Sequence, residues 1–198
     1  MFSGIISDVG QIARAADRDG GLRLEIATQA LDLSDVGLGD SIAVNGVCLT
    51  VIALDGNTFS VDVSRETLNC TVGLGAEGAP VNLEKALCLA DRLGGHLVSG
   101  HVDGVGEVLA FTDLGESWKL DISAPAALAK FIAFKGSITV NGVSLTINQV
   151  SGQTFSLNLI PHTLAMTNLR HLQAGSRVNL EVDLIARYVE RMLQKDVL

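Results

Sequence analysis

Short apolar or alternating runs, separated by turn residues, follow one another along most of the chain. Residues 47–54 form one such run, the turn signal Asp55-Gly56-Asn57 follows, and residues 58–63 form the next. This order predicts a β-hairpin, and it recurs around Ser151-Gly152. Because the connections are too short for crossover helices, the strands should be antiparallel, and closing the sheet would remove its exposed edges. The pattern predicts an all-β chain of small, closed Greek-key barrels.

Two segments predict helices instead. Residues 124–134 contain good helix formers after Pro125. Residues 184–193 carry an apolar stripe at helical spacing, opposite charged positions. The stripe consists of Ile185, Tyr188, Val189, Met192 and Leu193. It would pack either on its own barrel or on a partner subunit, and spacing alone does not separate the two.

An internal repeat organises the chain. Residues 41–50 match residues 137–146 at eight of ten positions, with an offset of 96 residues, and the same offset aligns Ser3-Gly4 with Ser99-Gly100. Residues 81–84 recur as 178–181, which indicates a one-residue insertion in the last loop of the second half. Two long repeats favour two similar domains over a solenoid. We expect domains at 1–96 and 97–184, with a C-terminal helical segment at 185–198.

Composition narrows the class of protein. Hydrophobic residues make up 47% of the chain, aromatic residues only 4%, and the net charge is −8 without a basic cluster. This composition argues against nucleic-acid and membrane partners. The three cysteines, Cys48, Cys70 and Cys88, form no CxxC pair, so neither a disulfide framework nor a zinc site is expected. Free thiols and the lack of a signal or membrane-spanning segment predict a cytoplasmic protein.

Candidate chemistry lies where the two halves differ. Cys48 in the first half corresponds to Ser144 in the second, Ile5 to His101, and Glu66 to His162. Cys48 and Thr50 lie two apart on a strand and so share a face, as do Ser144 and Thr146. These polar pairs predict a ligand-facing surface in each half. An inert buried thiol and hydroxyls bonded to nearby backbone are the alternatives.

Four further polar residues are interpreted one by one. His96 and His101 are five apart on a predicted strand and point to opposite sides, so no metal site is expected. His101 could transfer protons, oriented by Ser99 and Asp103, or be a surface histidine. Lys135 could be a solvated charge that follows the predicted helix. Asp183 could cap the terminal helix.

The motifs together resemble one known family. They are Met1-Phe2-Ser3-Gly4-Ile5-Ile6, the two Asn-Gly-Val-[Cys/Ser]-Leu-Thr segments, residues 94–103 and Leu159-Ile160-Pro161-His162-Thr163. This ordered set resembles the α-type riboflavin synthases, from residue 1 to about residue 192. The resemblance implies two lumazine-binding barrels and a C-terminal helix that assembles a homotrimer. It further implies active sites between barrels of neighbouring subunits, and it leaves open whether a lumazine synthase encloses the trimer.

The resemblance also implies a reaction. Two molecules of 6,7-dimethyl-8-ribityllumazine would disproportionate to riboflavin and 5-amino-6-(D-ribitylamino)uracil, the final step of riboflavin biosynthesis, without metal or cofactor. Two identical substrates explain a duplicated pocket, because positioning replaces a bimolecular encounter. A non-catalytic lumazine carrier is the main alternative. A structural or translation-type β-barrel is the third, and it would not account for the paired polar strands.

Matching motifs carry site residues over from the family. The implied catalytic residues are Phe2, Ser41, Cys48, His101 and Asp183. The implied substrate-binding residues are Gly4, Ile5, Ile6, Cys48, Leu49, Thr50, Asp62, Val63, Ser64, Arg65, Glu66, Thr67, Gly100, His101, Val102, Lys135, Ser144, Leu145, Thr146, Asn158, Leu159, Ile160, Pro161, His162 and Thr163. The donor lumazine must lose a proton from its 7-methyl group and the acceptor must be activated at C7, for which His101, Cys48 and Ser41 have suitable chemistry. Hydroxyl side chains such as Thr50, Thr67, Ser144, Thr146 and Thr163 would bind the ring carbonyls and ribityl chain, and Phe2 would stack on a ring.

Overall fold

Two closed antiparallel barrels make up the body of the molecule. The computed structural model describes residues 1–194. Barrel 1 contains β1 (Asp8–Arg18), β2 (Gly21–Ala27), β3 (Ser41–Val44), β4 (Val47–Asp55), β5 (Thr58–Val63) and β6 (Pro80–Lys85). Barrel 2 contains β7 (Gly104–Asp113), β8 (Trp118–Ser123), β9 (Ser137–Val140), β10 (Val143–Ser151), β11 (Thr154–Leu159) and β12 (Arg177–Val182). The predicted hairpins are confirmed as β4–β5 and β10–β11.

The strand order in each barrel is that of a Greek key. Barrel 1 runs β1-β2-β5-β4-β3-β6 and closes where β6 pairs with β1. Barrel 2 repeats this arrangement, and its β9 pairs with both β10 and β12. Every strand has two neighbours, so no edge is left for pairing with another chain. The fold class predicted from the sequence is confirmed, as is the one-residue insertion before β12.

Each barrel has its own apolar core, built from equivalent positions of the repeat. Leu24, Ile26 and Phe59 fill barrel 1 and have no exposed surface. Leu120 and Ile122 occupy the same places in barrel 2. Residues two apart on a strand share a face, so alternation along each strand sends one set inward and leaves the other outside. The outward set is therefore available for function.

Helices occupy short segments outside the barrels. The terminal helix α3 spans Leu184–Leu193, as predicted, and the Asp183 side chain caps it by accepting a hydrogen bond from the Ile185 amide at 2.9 Å. The last four residues of the predicted C-terminal segment lie outside the described part. The prediction of a helix over 124–134 is wrong in extent, because only a 3-10 helix at Ala126–Phe131 forms. The backbone is already extended at Ile132, which ends it.

Two further short helices were not predicted. Helix α1 (Arg65–Cys70) follows β5, and α2 (Pro161–Met166) follows β11 at the equivalent place in barrel 2. A second 3-10 helix follows α2 at Asn168–His171. The Ser64 side chain caps α1 by accepting from the Thr67 amide at 3.1 Å, while α2 begins with a proline. The first turn of each helix contains residues of the predicted binding set.

The apolar stripe of α3 faces solvent. Tyr188 is 64% exposed and Met192 is 84% exposed. On the other side of α3, Arg187 donates to both carboxylate oxygens of Asp103 at 2.5 and 2.9 Å, which holds the helix on barrel 2. The alternative in which the stripe packs on its own barrel is therefore wrong. Of the helices formed by residues 1–194, none is long and apolar enough to cross a bilayer.

Buried asparagines join the two barrels. The Asn82 side-chain amide donates to the Asn141 carbonyl at 2.9 Å, and the Asn179 amide donates to the Asn45 carbonyl at 3.0 Å. Asn168 donates from its side chain to Asn45 Oδ1 at 2.8 Å. Bonds to buried amides are costly to leave unmade. This reciprocal network therefore fixes one barrel against the other.

Candidate functional site

Two loops cross between the barrels and cover equivalent outer surfaces. The first crossing loop (residues 3–6) runs onto barrel 2, where the Ser144 amide donates to the Gly4 carbonyl at 2.8 Å. The second crossing loop (residues 99–102) runs onto barrel 1, where the Cys48 amide donates to the Gly100 carbonyl at 2.8 Å. Phe2 and Val98, just before the two loops, pair through two backbone hydrogen bonds. Each barrel therefore completes the outer surface of the other.

Both contacts require glycine. Gly4 and Gly100 have φ values of +76° and +78°, which residues with a side chain rarely adopt. A Cβ on Gly4 would lie 2.6 Å from the Ser144 Cβ, and one on Gly100 would lie 2.7 Å from the Cys48 Cβ. The loops therefore lie directly against Ser144 and Cys48, the pair of equivalent positions at which the two halves of the sequence differ.

The Cys48 surface is the outer face of barrel 1 beneath the second crossing loop. Cys48 is half-buried, Leu49 faces the core and Thr50 is exposed, which confirms that Cys48 and Thr50 share the outer face. Ser41 is the register partner of Thr50 on β3. His101 is exposed on the crossing loop next to Gly100. A thiol and two hydroxyls therefore lie on this face, and an imidazole is carried by the loop that covers it.

The end of β5 and helix α1 extend this surface. Asp62 lies one residue beyond the Val51–Val61 pair of β4 and β5, so continuing that register places it opposite Thr50. Arg23 binds Asp62 through two hydrogen bonds of 2.8 Å, which lowers the pKa of that carboxyl. Residues 62–65 also line a cleft of about 360 Å³ together with Arg18, Asp19, Gly21 and Leu22 around the β1–β2 turn. Residues 62–67, predicted from motifs alone, thus include the end of β5, where Asp62 lies opposite Thr50, and the start of helix α1.

The Ser144 surface is the equivalent face of barrel 2 beneath the first crossing loop. Ser144 is half-buried and Thr146 is exposed, with Ser137 as the register partner of Thr146. Ser137 was not predicted as a site residue, although the repeat aligns it with Ser41. Continuing the Ile147–Leu157 pairing places Asn158 opposite Thr146, and α2 with His162 and Thr163 follows β11. This surface has a hydroxyl at Ser144 where the other has the Cys48 thiol.

His96 contacts Ser144, which sequence reasoning missed. Its Nδ1 lies 2.8 Å from the Ser144 hydroxyl, and its ring is 8% exposed. Burial lowers the pKa of His96, opposed by the nearby Asp183 carboxylate, so the ring is held neutral near pH 7. The opposite-face argument for His96 and His101 does not apply, because these residues lie in a loop and not in a strand.

Lys135 has an unusual backbone for its residue type. Its φ is +63°, whereas the first repeat has Gly39 at the equivalent position with φ +95°. Its ammonium group donates to Asn148 Oδ1 at 2.8 Å and is exposed. A lysine held in the left-handed region is strained by about 1–2 kcal/mol. Such retained strain is typical of a residue kept for function.

Several predicted contacts take a different form. The side chains of Leu49, Val63 and Leu159 point into the barrel cores and are at most 5% exposed, so only their backbone atoms can meet a ligand. Phe2 is completely buried against Ala43, Val98 and Cys48. Stacking of Phe2 on a ligand would require the N-terminal segment to move.

Two expected orienting groups are engaged elsewhere. Ser99 donates from its hydroxyl to Glu181 at 2.6 Å, and Asp103 binds Arg187, so neither orients His101. Ser41 also borders a cleft of about 710 Å³ with Ile5 and Glu84, but that cleft does not include Cys48, Thr50 or His101. The thiol, the imidazole and Thr50 therefore lie outside this larger cleft, whereas Ser41 and Ile5 border it.

Comparison with known proteins agrees with this geometry. The lumazine binding domain family matches residues 3–86 and again residues 99–183. Riboflavin synthase from Photobacterium phosphoreum is 45% identical over 197 residues, covering 99% of this chain and 90% of the relative. Riboflavin synthases from Brucella abortus (strain 2308) and Bacillus subtilis (strain 168) are 42% and 43% identical, each over 98% of this chain and over 98% and 91% of the relatives.

Solved structures share the fold. LumP complexed with riboflavin aligns with a TM-score of 0.83 at 30% identity, covering 92% of this chain and 99% of that chain. LumP complexed with 6,7-dimethyl-8-(1'-D-ribityl) lumazine aligns with a TM-score of 0.78 at 29% identity over the same shares. Two family matches, one per barrel, coincide with the repeat and its two covered surfaces. The chain belongs to the riboflavin synthase family of lumazine-binding proteins.

Proposed function

We propose that this protein is a riboflavin synthase, a transferase that moves a four-carbon unit between two identical lumazines. One molecule of 6,7-dimethyl-8-ribityllumazine gives up the unit and leaves as 5-amino-6-(D-ribitylamino)uracil, and the other becomes riboflavin. The observation that carries the proposal is the pair of covered surfaces. They are equivalent in position but differ in chemistry, as two identical substrates with different roles require.

The balance of the reaction fits a site made only of side chains. All atoms of the two lumazines are recovered in the two products, so no external oxidant, water or cofactor is consumed. What the protein must supply is orientation of two rings and transfer of protons. Thr50 and Thr146 have outer-face hydroxyls, and each is paired across its sheet with a serine, Ser41 or Ser137. These hydroxyls would supply hydrogen bonds for ring carbonyls and ribityl groups.

The Cys48 surface is assigned the proton-transfer chemistry. His101 is exposed on the loop that covers it, and imidazole is the side chain best suited to exchange protons near neutral pH. Cys48 or Ser41 would then assist addition at C7 of the acceptor. The Ser144 surface, with Ser144, Thr146 and Lys135, would hold the partner lumazine by hydrogen bonds and charge. The short crossing loops let these groups approach a ring without blocking the exposed part of either surface.

Assembly would bring surfaces of different protomers together. The stripe of α3 is exposed while its polar side is fixed to barrel 2, so its orientation is preset for contact with another protomer. We propose a homotrimer in which barrel 1 of one protomer faces barrel 2 of the next, in the cytoplasm. Enclosure by a lumazine synthase remains a prediction of the family resemblance.

The test is to mix the purified protein with 6,7-dimethyl-8-ribityllumazine, without metal or cofactor, and to follow riboflavin by absorbance and chromatography. One riboflavin should form for every two lumazines consumed. His101→Ala should lower kcat about a hundredfold, the contribution of a positioned acid or base, and Cys48→Ala should also slow the reaction. His171→Ala and Cys88→Ala are matched controls, because both residues are exposed and lie outside the two surfaces.

A carrier would give a different result. The shared fold of the LumP complexes with riboflavin and with a lumazine makes ligand holding the second candidate function. A carrier would bind lumazine and leave it unchanged over the time in which an enzyme converts it. Persistence of bound lumazine would therefore overturn the enzyme proposal and leave the family assignment intact.

A further inference from the structure

Two buried glutamates outside the proposed chemistry hold the crossing loops. Glu84 on β6 accepts hydrogen bonds from the Ser3 amide at 2.7 Å, the Ser3 hydroxyl at 2.6 Å and the Gly4 amide at 3.0 Å. Glu181 on β12 repeats the arrangement with the Ser99 amide at 2.7 Å, the Ser99 hydroxyl at 2.6 Å and the Gly100 amide at 2.9 Å. We call each glutamate with its three hydrogen bonds a clamp. The two clamps use the same donor and acceptor atoms at equivalent positions of the repeat.

A buried carboxylate is a costly way to hold a loop. Glu84 is 4% exposed and Glu181 is 1% exposed, and within residues 1–194 neither forms a salt bridge. Burial raises the pKa of both carboxyls, and the hydrogen bonds from the serine and glycine groups oppose this. An apolar side chain at these positions would avoid that cost. What an apolar side chain cannot do is fix the position of two successive amides and one hydroxyl.

The direction of the two clamps is crossed. Glu84 belongs to barrel 1, but the loop that it holds bonds to Ser144 of barrel 2. Glu181 belongs to barrel 2, but its loop bonds to Cys48 of barrel 1 and carries His101. Each glutamate therefore holds the loop residue whose carbonyl contacts the opposite barrel.

We propose that Glu84 and Glu181 are positioning residues, each of which sets the covered surface of the other barrel. Both carboxylates accept their hydrogen bonds from loop groups, and although Glu84 borders the cleft that Ser41 lines, each acts on its surface through the loop that it holds. Glu181 fixes Gly100 against Cys48 and thereby the position of the next residue, His101. Glu84 fixes Gly4 against Ser144 and thereby the position of the next residue, Ile5. The part of this proposal that concerns catalysis rests on the proposed function, while the part that concerns loop position does not.

Hydrogen exchange tests the crossed pattern directly. The reporters are the Cys48 and Ser144 amides, which donate to the Gly100 and Gly4 carbonyls. Glu181→Gln should speed exchange at Cys48 at least about tenfold, the effect of losing one hydrogen bond to an ionised group, and leave Ser144 unchanged. Glu84→Gln should do the reverse. Glu107→Gln, on the exposed face of β7, is the control and should change neither amide.

Milder variants protect the test against misfolding. Ser99→Ala and Ser3→Ala each remove one hydrogen bond from a clamp and should give the same crossed pattern with a smaller change. Faster exchange at the amide of the glutamate's own barrel, or equal changes at both amides, would overturn the proposal.

Riboflavin formation separates the two proposals. Each Gln variant should lower kcat at least about tenfold. In the same variant, hydrogen exchange should be faster at Cys48 for Glu181→Gln and at Ser144 for Glu84→Gln. A crossed exchange pattern with unchanged kcat would overturn the catalytic part. If the wild-type protein makes no riboflavin, the proposed function fails, and the exchange pattern alone decides whether the glutamates position the loops.

Discussion

The contact between the barrels makes a quantitative prediction at Gly46. Gly46 and Gly142 are the second residues of the Asn-Gly turns and lie against each other at the junction. A Cβ on Gly46 would lie 2.7 Å from the Gly142 nitrogen and 3.0 Å from its Cα. Both obstacles are backbone atoms, which cannot rotate away. The turn itself is held by the buried asparagine network, so the Gly46→Ala substitution must strain the junction.

The magnitude follows from two contributions. Gly46 has φ +80°, and an alanine in the left-handed region costs about 1–2 kcal/mol. Overpacking against fixed atoms adds about 1–3 kcal/mol. Gly20→Ala is the matched control, because Gly20 has φ +85° and a Cβ added there would meet nothing within 4 Å. The difference between the two variants, about 1–3 kcal/mol in the free energy of unfolding, isolates the contact between the barrels.

Urea unfolding measures that difference. Circular dichroism reports both barrels, while fluorescence of Trp118, the only tryptophan, reports barrel 2. Although Gly46 lies in barrel 1, its substitution should also lower the urea concentration at the midpoint of the Trp118 transition, because the junction couples the barrels. Both variants are compared at one protein concentration, since assembly would shift the midpoint. Equal losses for Gly46→Ala and Gly20→Ala would refute the reasoning.

Three further predictions concern charge, assembly and pH. Lys135→Gly should change the unfolding free energy by less than about 1 kcal/mol, because relief of left-handed strain offsets the greater freedom of unfolded glycine, yet weaken lumazine binding about tenfold in a fluorescence titration; unchanged affinity would remove Lys135 from the site. If α3 joins protomers as proposed, Met192→Asp should shift the protein to smaller species in sedimentation, whereas Arg191→Asp on the polar side should not. Burial raises the pKa of Glu84 and Glu181, so each stabilises the fold fully below the ordinary glutamate pKa of about 4.3 and loses this contribution as pH rises through the raised value. As the pH rises from about 4 to 7, the unfolding midpoint should therefore fall more in the wild type than in the Glu181→Gln variant. Parallel curves would show that Glu181 does not lose stabilising free energy as it ionises.

The repeat accounts for how much of the fold could be predicted. An offset of 96 residues places β3 to β5 on β9 to β11, and short connections leave closure as the way to remove edges. Helix α3 was predicted with its observed bounds because its stripe spans several turns. Helices α1 and α2 were missed because six residues are too few to show a helical period. Their signals were local: a serine cap before α1 and a proline at the start of α2.

The crossing loops and their clamps could not be predicted in the same way. Alternation along β6 predicts that Asn82 and Glu84 face solvent, yet residues 81–84 are all buried. Asn82 is covered by the other barrel and Glu84 by the first crossing loop. Periodicity describes one strand in one sheet, and it carries no information about a second domain placed on the outer face. Buried polar side chains on both faces of a strand are the signal that such a partner exists.

The crossing also bears on where a functional unit begins and ends. A boundary near residue 96, predicted from the repeat, would fall between the last strand of barrel 1 and the first strand of barrel 2. It also removes the second crossing loop from the Cys48 surface, and with it Gly100, His101 and the Glu181 clamp. A single barrel would retain its core but present an uncovered thiol surface without its imidazole. The pair of barrels, and not one repeat, is therefore the smallest unit that completes either surface. Because the loops cross, each surface combines a strand of one barrel with a loop of the other half, and both parts can diverge after duplication. One surface now has Cys48 on its strand and His101 on its loop, whereas the other has Ser144 and Ile5 at the equivalent positions.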